Sequence, residues 1–387
     1  MNIAMFTDSY LPEVNGVVTS VASYAAALRR RGHTVTIIAP ASSRNGTRDA
    51  GDEENAIIRL ASATFPMYPD YRMAFPGPLA ALRRVEALRP DIVHVHSGFV
   101  VGAYGAWFAK RRHMPLVGTY HTLWTEYTHY SPLGPALGKA QMIWLSRTFC
   151  NACDRIIAPT ERVRAILRHD YAIATPIEVL PSGLSAQVLE ADPARAAALR
   201  AERGGGPALL YAGRLGHEKN LHYLLDAIIV AHALVPHLRS TIAGCGPLAG
   251  ELRRRVQASG LEHTITLTGA VPQRDLATYY AASDAFVFAS TTETQGLVLL
   301  EAMAHGLPVI AYASDVSREV VGTDAGIVID GGPDVFAAQL ASLLKDQPRR
   351  DRMAQAARAR ALPYHSDRLV TELEGLYMRA LDGDRVS

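Results

Sequence analysis

AFVFASTTETQGLVLLEAMAHGLPVIAYA, residues 285–313, passes from an apolar run through a polar loop and a glycine into an apolar helix, then through Gly306-Leu307-Pro308 into a second apolar run. Ala285 to Ser290 and Val309 to Ala313 are too short for helices and carry no polar face. Runs of that kind are strands of a parallel sheet buried on both sides. Leu297 to His305 has the spacing of a buried helix and is long enough to carry the chain back across the sheet. The segment is therefore a strand–helix–strand unit.

The same rhythm extends through nearly the whole chain. NIAMFT, HTVTIIAP, AIIRLA, DIVHVHS, PLVGTYH and RIIAP read as strands in the first half; PALLYAG, STIAGCG, TITLTGA, AFVFAS, LPVIAYA and GIVID read as strands in the second. Twelve strands exceed what one core comfortably covers. The break falls at Leu184 to Gly206, where LPSG closes one unit and an Ala-rich helix precedes Gly204-Gly205-Gly206-Pro207. The expectation is an α/β protein of two Rossmann-like domains, residues 1–183 and 184–365, with parallel sheets facing a central cleft. Residues 366–387, carrying a helix from Ser366 to Leu381, are expected to cross back onto the first domain.

The 387 residues are 49% hydrophobic and 20% charged, which excludes a largely disordered chain. Net charge is +2, with 19 basic against 14 acidic residues up to position 182 and 20 against 23 beyond it. No strong polyanion-binding footprint stands out. Three cysteines cannot build a disulfide framework. The start MNIAMFTDSY lacks a basic n-region, and the longest uncharged apolar stretch, Ser97 to Ala109, falls short of the ~20 residues a spanning helix needs. A cytoplasmic protein is expected.

Ligands of parallel sheets bind beyond the carboxyl ends of the strands. DSYLPEVNG ends the first strand, and Gly16 there allows close backbone approach at a helix start, without the dinucleotide fingerprint. His121 stands at the tip of the fifth strand. His94 and His96 alternate along the fourth, are expected to face opposite sides, and read as core or strand-end residues. GRLGHEKN places Arg214 and Lys219 on one strand-end loop, where a guanidinium fork and an ammonium suit two phosphates; the alternative is a pair of solvated cations. Only four of the 39 basic residues are lysines, so Lys219 is unusual here. Glu293 precedes Gly296 and Glu301 follows it in the helix, so two carboxylates flank a helix N-terminus whose free amides suit a phosphate oxygen or sugar hydroxyl. Cys150-x-x-Cys153 lies in an apolar helix, Gly244-x-Gly246 is a short glycine loop compatible with nucleotide approach, and Asp382-x-Asp384 falls in a polar tail. All three are weaker signals than the strand-end loops above.

Taken together, PEVNGV, YHT, PTERV with VLPSG, GRLGHEKN, AGCGPL, TGAVP and ETQGLVLLEAMAHGLPV resemble the retaining glycosyltransferases of the GT-B fold, in the large family-four group, over the full length. The resemblance implies a nucleotide-diphosphate hexose as donor, UDP- or GDP-linked, and no other cofactor. It implies that Arg214 and Lys219 neutralise the leaving diphosphate and that Glu301 binds the ribose. Glu293 with the amides of Gly296, Leu297 and Val298 would hold sugar and diphosphate. His121 would line the anomeric centre, Gly16 would face the phosphates, and the chain around Val271 would contact the base. Many members have paired glycines where this chain has Asn15-Gly16. No placed carboxylate pair offers a metal site, so transfer is expected to be metal-independent.

FPMYPDYRMAFP and YHTLWTEYTHYSPL are similar to the corresponding regions of bacterial diacylglycerol glucosyltransferases and sulfoquinovosyl-lipid synthases. Both flank helices carrying Arg83, Arg84, Arg89 and Lys110, Arg111, Arg112. Aromatic and basic side chains together favour an anionic bilayer surface, at the inner face of the plasma membrane; the alternative is a core-facing aromatic set under a solvated charged face. The expected function is hexose transfer to a lipid such as diacylglycerol, with alpha linkage. A mannosyltransferase acting on another glycolipid or polysaccharide is the near alternative, and a nucleotide-sugar epimerase or a sugar-binding protein the distant ones. No nucleic acid is expected as partner.

Overall fold

The computed structural model describes residues 1–13, 15–42, 56–65, 68–75, 80–96, 98–126 and 134–383. Val14, Ser97, parts of the two aromatic segments (66–67, 76 and 127–133) and Asp384 lie outside the described residues. The chain divides into two compact units, Met1–Gly183 with Ser366–Ser387, and Leu184–His365.

The first unit is built on β1 (Asn2–Phe6), β2 (Thr34–Pro40), β3 (Ile57–Leu60), a hairpin of β4 (Ser62–Phe65) and β5 (Tyr68–Ala74), β6 (Ile92–Val95), β7 (Leu116–Thr119), β8 (Arg155–Ala158) and β9 (Ile177–Val179). Seven of these pair in the order β3-β2-β1-β6-β7-β8-β9, all in parallel, while β4 and β5 pair antiparallel with each other. The hairpin and β9 are additions to the sequence reading. Alternate residues of β1 serve two cores: Ala4 and Phe6 join Val93 and Val95 on one face, Ile3 and Met5 join Ile92 on the other. Two-sided burial follows from the period of two in side-chain direction and explains why the strands read as continuous apolar runs.

The helix Ser366–Leu381 belongs to this unit. Leu369, Val370, Leu373, Leu376, Tyr377 and Ala380 form one apolar stripe that is buried with Val21, Tyr24 and Leu28 of the helix Gly16–Arg30. At about 1.5–3 kcal/mol for each large side chain fully buried, this stripe outweighs the flanking surface ion pairs Arg30–Asp367 at 2.5 Å and Arg31–Glu374 at 2.7 Å.

The second unit contains β10 (Ala208–Ala212), β11 (Arg239–Ala243), β12 (Ile265–Gly269), β13 (Ala285–Phe288), β14 (Val309–Tyr312) and β15 (Gly326–Ile329). They pair in the order β12-β11-β10-β13-β14-β15, entirely parallel. The order is that of a doubly wound sheet, with its switch point between β10 and β13. Leu209 and Tyr211 enter one core and Leu210 and Ala212 the other. The α/β, doubly wound reading of both halves is thus observed.

The glycines of AGCGPL have a backbone reason. Gly244 has φ +155°, and a Cβ there would stand 1.8 Å from the Gly213 carbonyl oxygen; the Leu215 amide also donates to the Cys245 carbonyl at 2.8 Å. Two strand-end loops therefore meet backbone to backbone, and this contact by itself requires glycine at position 244. Gly244→Ala is expected to cost at least ~2 kcal/mol through overpacking and backbone strain. An unchanged thermal unfolding curve for this variant would contradict the packing argument.

Candidate active site

In a doubly wound sheet the chain leaves the two central strands in opposite directions, opening a crevice beyond their carboxyl ends. In the second unit those strands are β10 and β13, and the following loops are residues 213–220 and 289–296. Lys219 closes a 3-10 turn, His217–Lys219, and is followed by Asn220 in the left-handed region at φ +51°. Its Nζ donates to Glu293 Oε1 at 2.5 Å. The two loops are tied a second time by the Ser290 hydroxyl, which donates to the Glu218 carbonyl at 3.2 Å. Two candidates 74 positions apart are thus brought together at the switch point.

Burial depresses the Lys219 pKa, but the Glu293 carboxylate together with Tyr211 and Glu218 outweighs it, and the net direction is upward. Lys219 therefore stays cationic throughout the neutral range. Arg214 Nη1 lies 3.4 Å from Glu218 Oε1, while Glu218 Oε2 is buried with no hydrogen-bond partner among the described residues. The sequence reading omitted Glu218; its place four residues after Arg214 was the available signal. Neither cation is a solvated surface charge, since the exposure of Lys219 is 19% and that of Arg214 25%.

Beyond Glu293 the chain turns at Gly296, φ +72°, into the helix Leu297–Ala304. A positive φ is where glycine is at no disadvantage, and no side chain caps this helix start. Leu299, Leu300, Ala302 and Met303 anchor the helix in the core, and Val271 packs against the same cluster. Glu301, 4% exposed, is surrounded by that apolar face and accepts a 2.8 Å hydrogen bond from the Tyr280 hydroxyl. Burial raises its pKa to about 7, against the lowering effect of that hydrogen bond. Tyr280 is a second omission, because nothing in a single sequence links it to a glutamate 21 residues on.

The corresponding strand ends of the first unit are differently furnished. Asp8, just past β1, accepts from the backbone amides of Val101 at 2.7 Å and Gly102 at 3.3 Å, capping the helix Val100–Arg111. Asn15 is the N-cap of Gly16–Arg30, its Oδ1 accepting from the Val18 amide at 3.0 Å. Asparagine in place of a first glycine therefore supplies a side-chain cap, and Gly16 itself is exposed. His121, past β7, lies 3.1 Å from His96 through Nε2 and Nδ1. The expectation that His94 and His96 face opposite sides is corrected: their ring centroids are 4.0 Å apart. The strand β6 ends at Val95, so His96 is no longer bound to the pleat's alternation. Both are fully buried, as core or strand-end residues should be. Burial holds His94 near a pKa of about 3 and His121 near about 4, so both are neutral at physiological pH.

Against known proteins, residues 14–188 match the family model Glycosyltransferase Family 4, and residues 198–360 match Glycosyl transferases group 1. The chain is 31% identical over 352 residues to alpha-monoglucosyldiacylglycerol synthase of Streptococcus pneumoniae, covering 89% of this chain and 78% of that one. The chain is a family-four glycosyltransferase of the GT-B fold. As such it is a hexosyltransferase. This glycosyltransferase is also 30% identical over 329 residues to the GDP-mannose-dependent alpha-mannosyltransferase of Mycobacterium tuberculosis, with 83% and 81% coverage. The crystal structure of Anabaena HepE with UDP and glucose superimposes with a TM-score of 0.76 at 19% identity, covering 98% of this chain and 99% of that one.

Cys150 and Cys153 are buried free thiols, and burial pushes Cys150 up to about 12, which leaves it unreactive. Arg83, Arg84, Arg89, Lys110, Arg111 and Arg112 are all exposed; Arg112 pairs with Glu86, and the Arg111 guanidinium stands 5.8 Å from the centre of the Trp107 ring. Among the described residues no group of histidine, cysteine or carboxylate side chains could hold a metal ion, and no helix is long and apolar enough to cross a membrane.

Proposed function

We propose that the protein moves a hexose, with retention and alpha linkage, from a nucleotide-diphosphate sugar to a lipid acceptor such as diacylglycerol, without a metal ion. The second unit, residues 184–365, would take the donor and the first the acceptor. The observation that carries the reading is the strand-end assembly of Lys219, Glu293 and the uncapped start of Leu297–Ala304 at the switch point.

Breaking a glycosyl–phosphate bond puts negative charge on the diphosphate and positive charge on the sugar ring. Lys219 and Arg214, already fixed by Glu293 and Glu218, would stabilise the leaving oxygens with little reorganisation. The amides of Gly296, Leu297 and Val298 would add the positive end of a helix to the same charge. Glu293 would hold the transferred sugar, Glu301 the ribose hydroxyls and the chain around Val271 the base. Gly16 would approach the phosphates, and His121 would line the anomeric centre. The acceptor would attack the face the leaving group vacates, the departing phosphate taking its proton, so no separate base is required.

UDP as donor nucleotide is favoured by the UDP complex of HepE, and diacylglycerol by the name of the pneumococcal relative. The mannosyltransferase relative supports a second reading, with GDP-mannose as donor. A panel of UDP-glucose, UDP-galactose and GDP-mannose against extracted lipids separates them, scored by nucleotide release and product mobility together. Lipid-dependent release from one donor, unaffected by EDTA, is expected. Conversion of the nucleotide sugar into its epimer without any acceptor would favour the epimerase reading, and loss in EDTA restored by magnesium would remove metal independence.

The exposed Trp107, under Arg111 and beside Lys110, offers an aromatic and cationic face to an anionic bilayer at the cytoplasmic surface. Binding to anionic liposomes should weaken as salt is raised. No binding at low salt would remove membrane docking without touching the transfer chemistry.

A further inference from the structure

The buried ring of His96 is left unused by the mechanism above. We propose that His96 is a positioning residue for His121: its Nδ1–H donates to His121 Nε2 and so keeps the His121 proton on Nδ1. The inference rests on the reading that His121 lines the anomeric centre, and assigns how that ring is prepared.

The geometry is that of an in-plane hydrogen bond. The His96 and His121 rings are tilted by only 18°, with centroids 5.4 Å apart and the two nitrogens 3.1 Å apart. The rings meet edge to edge rather than face to face. His96 is held from behind by His94, whose centroid is 4.0 Å away. His94 is itself locked through both nitrogens, Nδ1 to the Tyr377 hydroxyl and Nε2 to the Thr119 hydroxyl, each at 2.7 Å. The helix Ser366–Leu381 thus buttresses the tip of β7 through Tyr377, His94 and His96.

The direction of the bond follows from the other nitrogen. His96 Nε2 is buried and has no hydrogen-bond partner among the described residues. If the His96 proton sat there, an N–H would be buried without an acceptor, the rarer and costlier kind of orphan. With the proton on Nδ1, only a lone pair goes unused. His96 is then the donor, His121 Nε2 the acceptor, and His121 a neutral ring protonated at Nδ1. Protonating His121 a second time would set Nε2–H against the His96 N–H. Burial pushes the His121 pKa in the same direction. A neutral N–H donor beside a sugar ring gaining positive charge avoids the repulsion an imidazolium would exert.

The test is long-range nitrogen–proton NMR on the 15N-labelled full-length protein, with the His121 signals identified by their loss in His121→Asn. The expected pattern is a protonated Nδ1 and a bare Nε2 on His121 in the wild type. In His96→Leu the two His121 tautomers should mix and kcat fall by up to about 100-fold from misplacement, with KM for the donor within about 3-fold. His96→Asn, whose amide can place an N–H where Nδ1 was, should restore both the tautomer and most of kcat. A wild-type His121 carrying its proton on Nε2 overturns the proposal, as does a His96→Leu protein whose His121 pattern is unchanged. Full transfer activity in His121→Asn would instead overturn the reading of His121, and the spectra, which do not depend on turnover, tell the two failures apart.

Discussion

Lys219→Ala is expected to lower kcat by about 10²–10³-fold, the loss typical of a fixed group facing a developing anion. The argument is electrostatic. The ammonium is held 2.5 Å from Glu293, mostly shielded from water, and remains charged because that carboxylate and its neighbours overcome the burial penalty. Alanine removes the charge and leaves Glu293, 17% exposed, without this partner. The accompanying stability loss should be about 1–3 kcal/mol, small enough for a folded protein at 25 °C. Steady-state rates at saturating donor, beside a thermal unfolding curve, separate the two effects. A fall below tenfold in kcat with the fold intact would mean that Lys219 does not face the leaving group. Lys219→Arg keeps the charge and should recover only part of the rate, since the planar fork cannot reproduce the same short contact to Glu293.

Glu301→Gln gives the second large effect, and its sign depends on pH. The Glu301 carboxyl titrates at about 7 in the folded protein against 4.5 for the unperturbed group. The unfolded chain therefore loses this proton first as pH rises. Across that window the folded state binds more protons, so stability falls with rising pH, by up to about 3 kcal/mol for a shift of this size. Glutamine, which can still accept from Tyr280, should flatten that fall and unfold at higher temperature than wild type at pH 8. Nucleotide binding should respond in the opposite sense. A carboxylate accepting ribose hydroxyls binds better than a carboxylic acid, so wild-type affinity should improve as pH rises towards 7. At pH 8 the glutamine variant should bind UDP or GDP about 10- to 100-fold more weakly, the loss of hydrogen bonds to a charged group. Calorimetric titration at pH 6 and pH 8 reads both the affinity and its pH dependence. Equal affinity of the two proteins at pH 8 would take Glu301 out of the donor site.

The two variants probe residues of unequal legibility. Lys219 stands out as one of four lysines, and its place after a strand directs it to the carboxyl end of the sheet. Glu293 and Gly296 are legible for the same reason. That Lys219 and Glu293 touch is not, because their contact depends on which two strands are neighbours. β10 and β13 are adjacent only because the sheet reverses direction there. Tyr280 and Glu218 were missed for a related reason: a partner for a buried carboxylate is chosen by packing, and packing is long-range. His94 and His96 failed differently. His96 lies one residue past the end of β6, where the backbone no longer obeys the alternation of a strand.

Apart from β4, β5 and β9, element type and order and the parallel character of both sheets were written in the linear pattern. They depend on local properties, namely side-chain branching, apolar period and glycine placement, which act within about ten residues. The chain also advertised the apolar stripe of its last helix. Which carboxylate met which cation, which histidine edge met its neighbour and which side chain of the last helix met His94 were settled in three dimensions. Those contacts join residues 74, 25 and 283 positions apart, and they form only when a sheet order and a helix face are already in place.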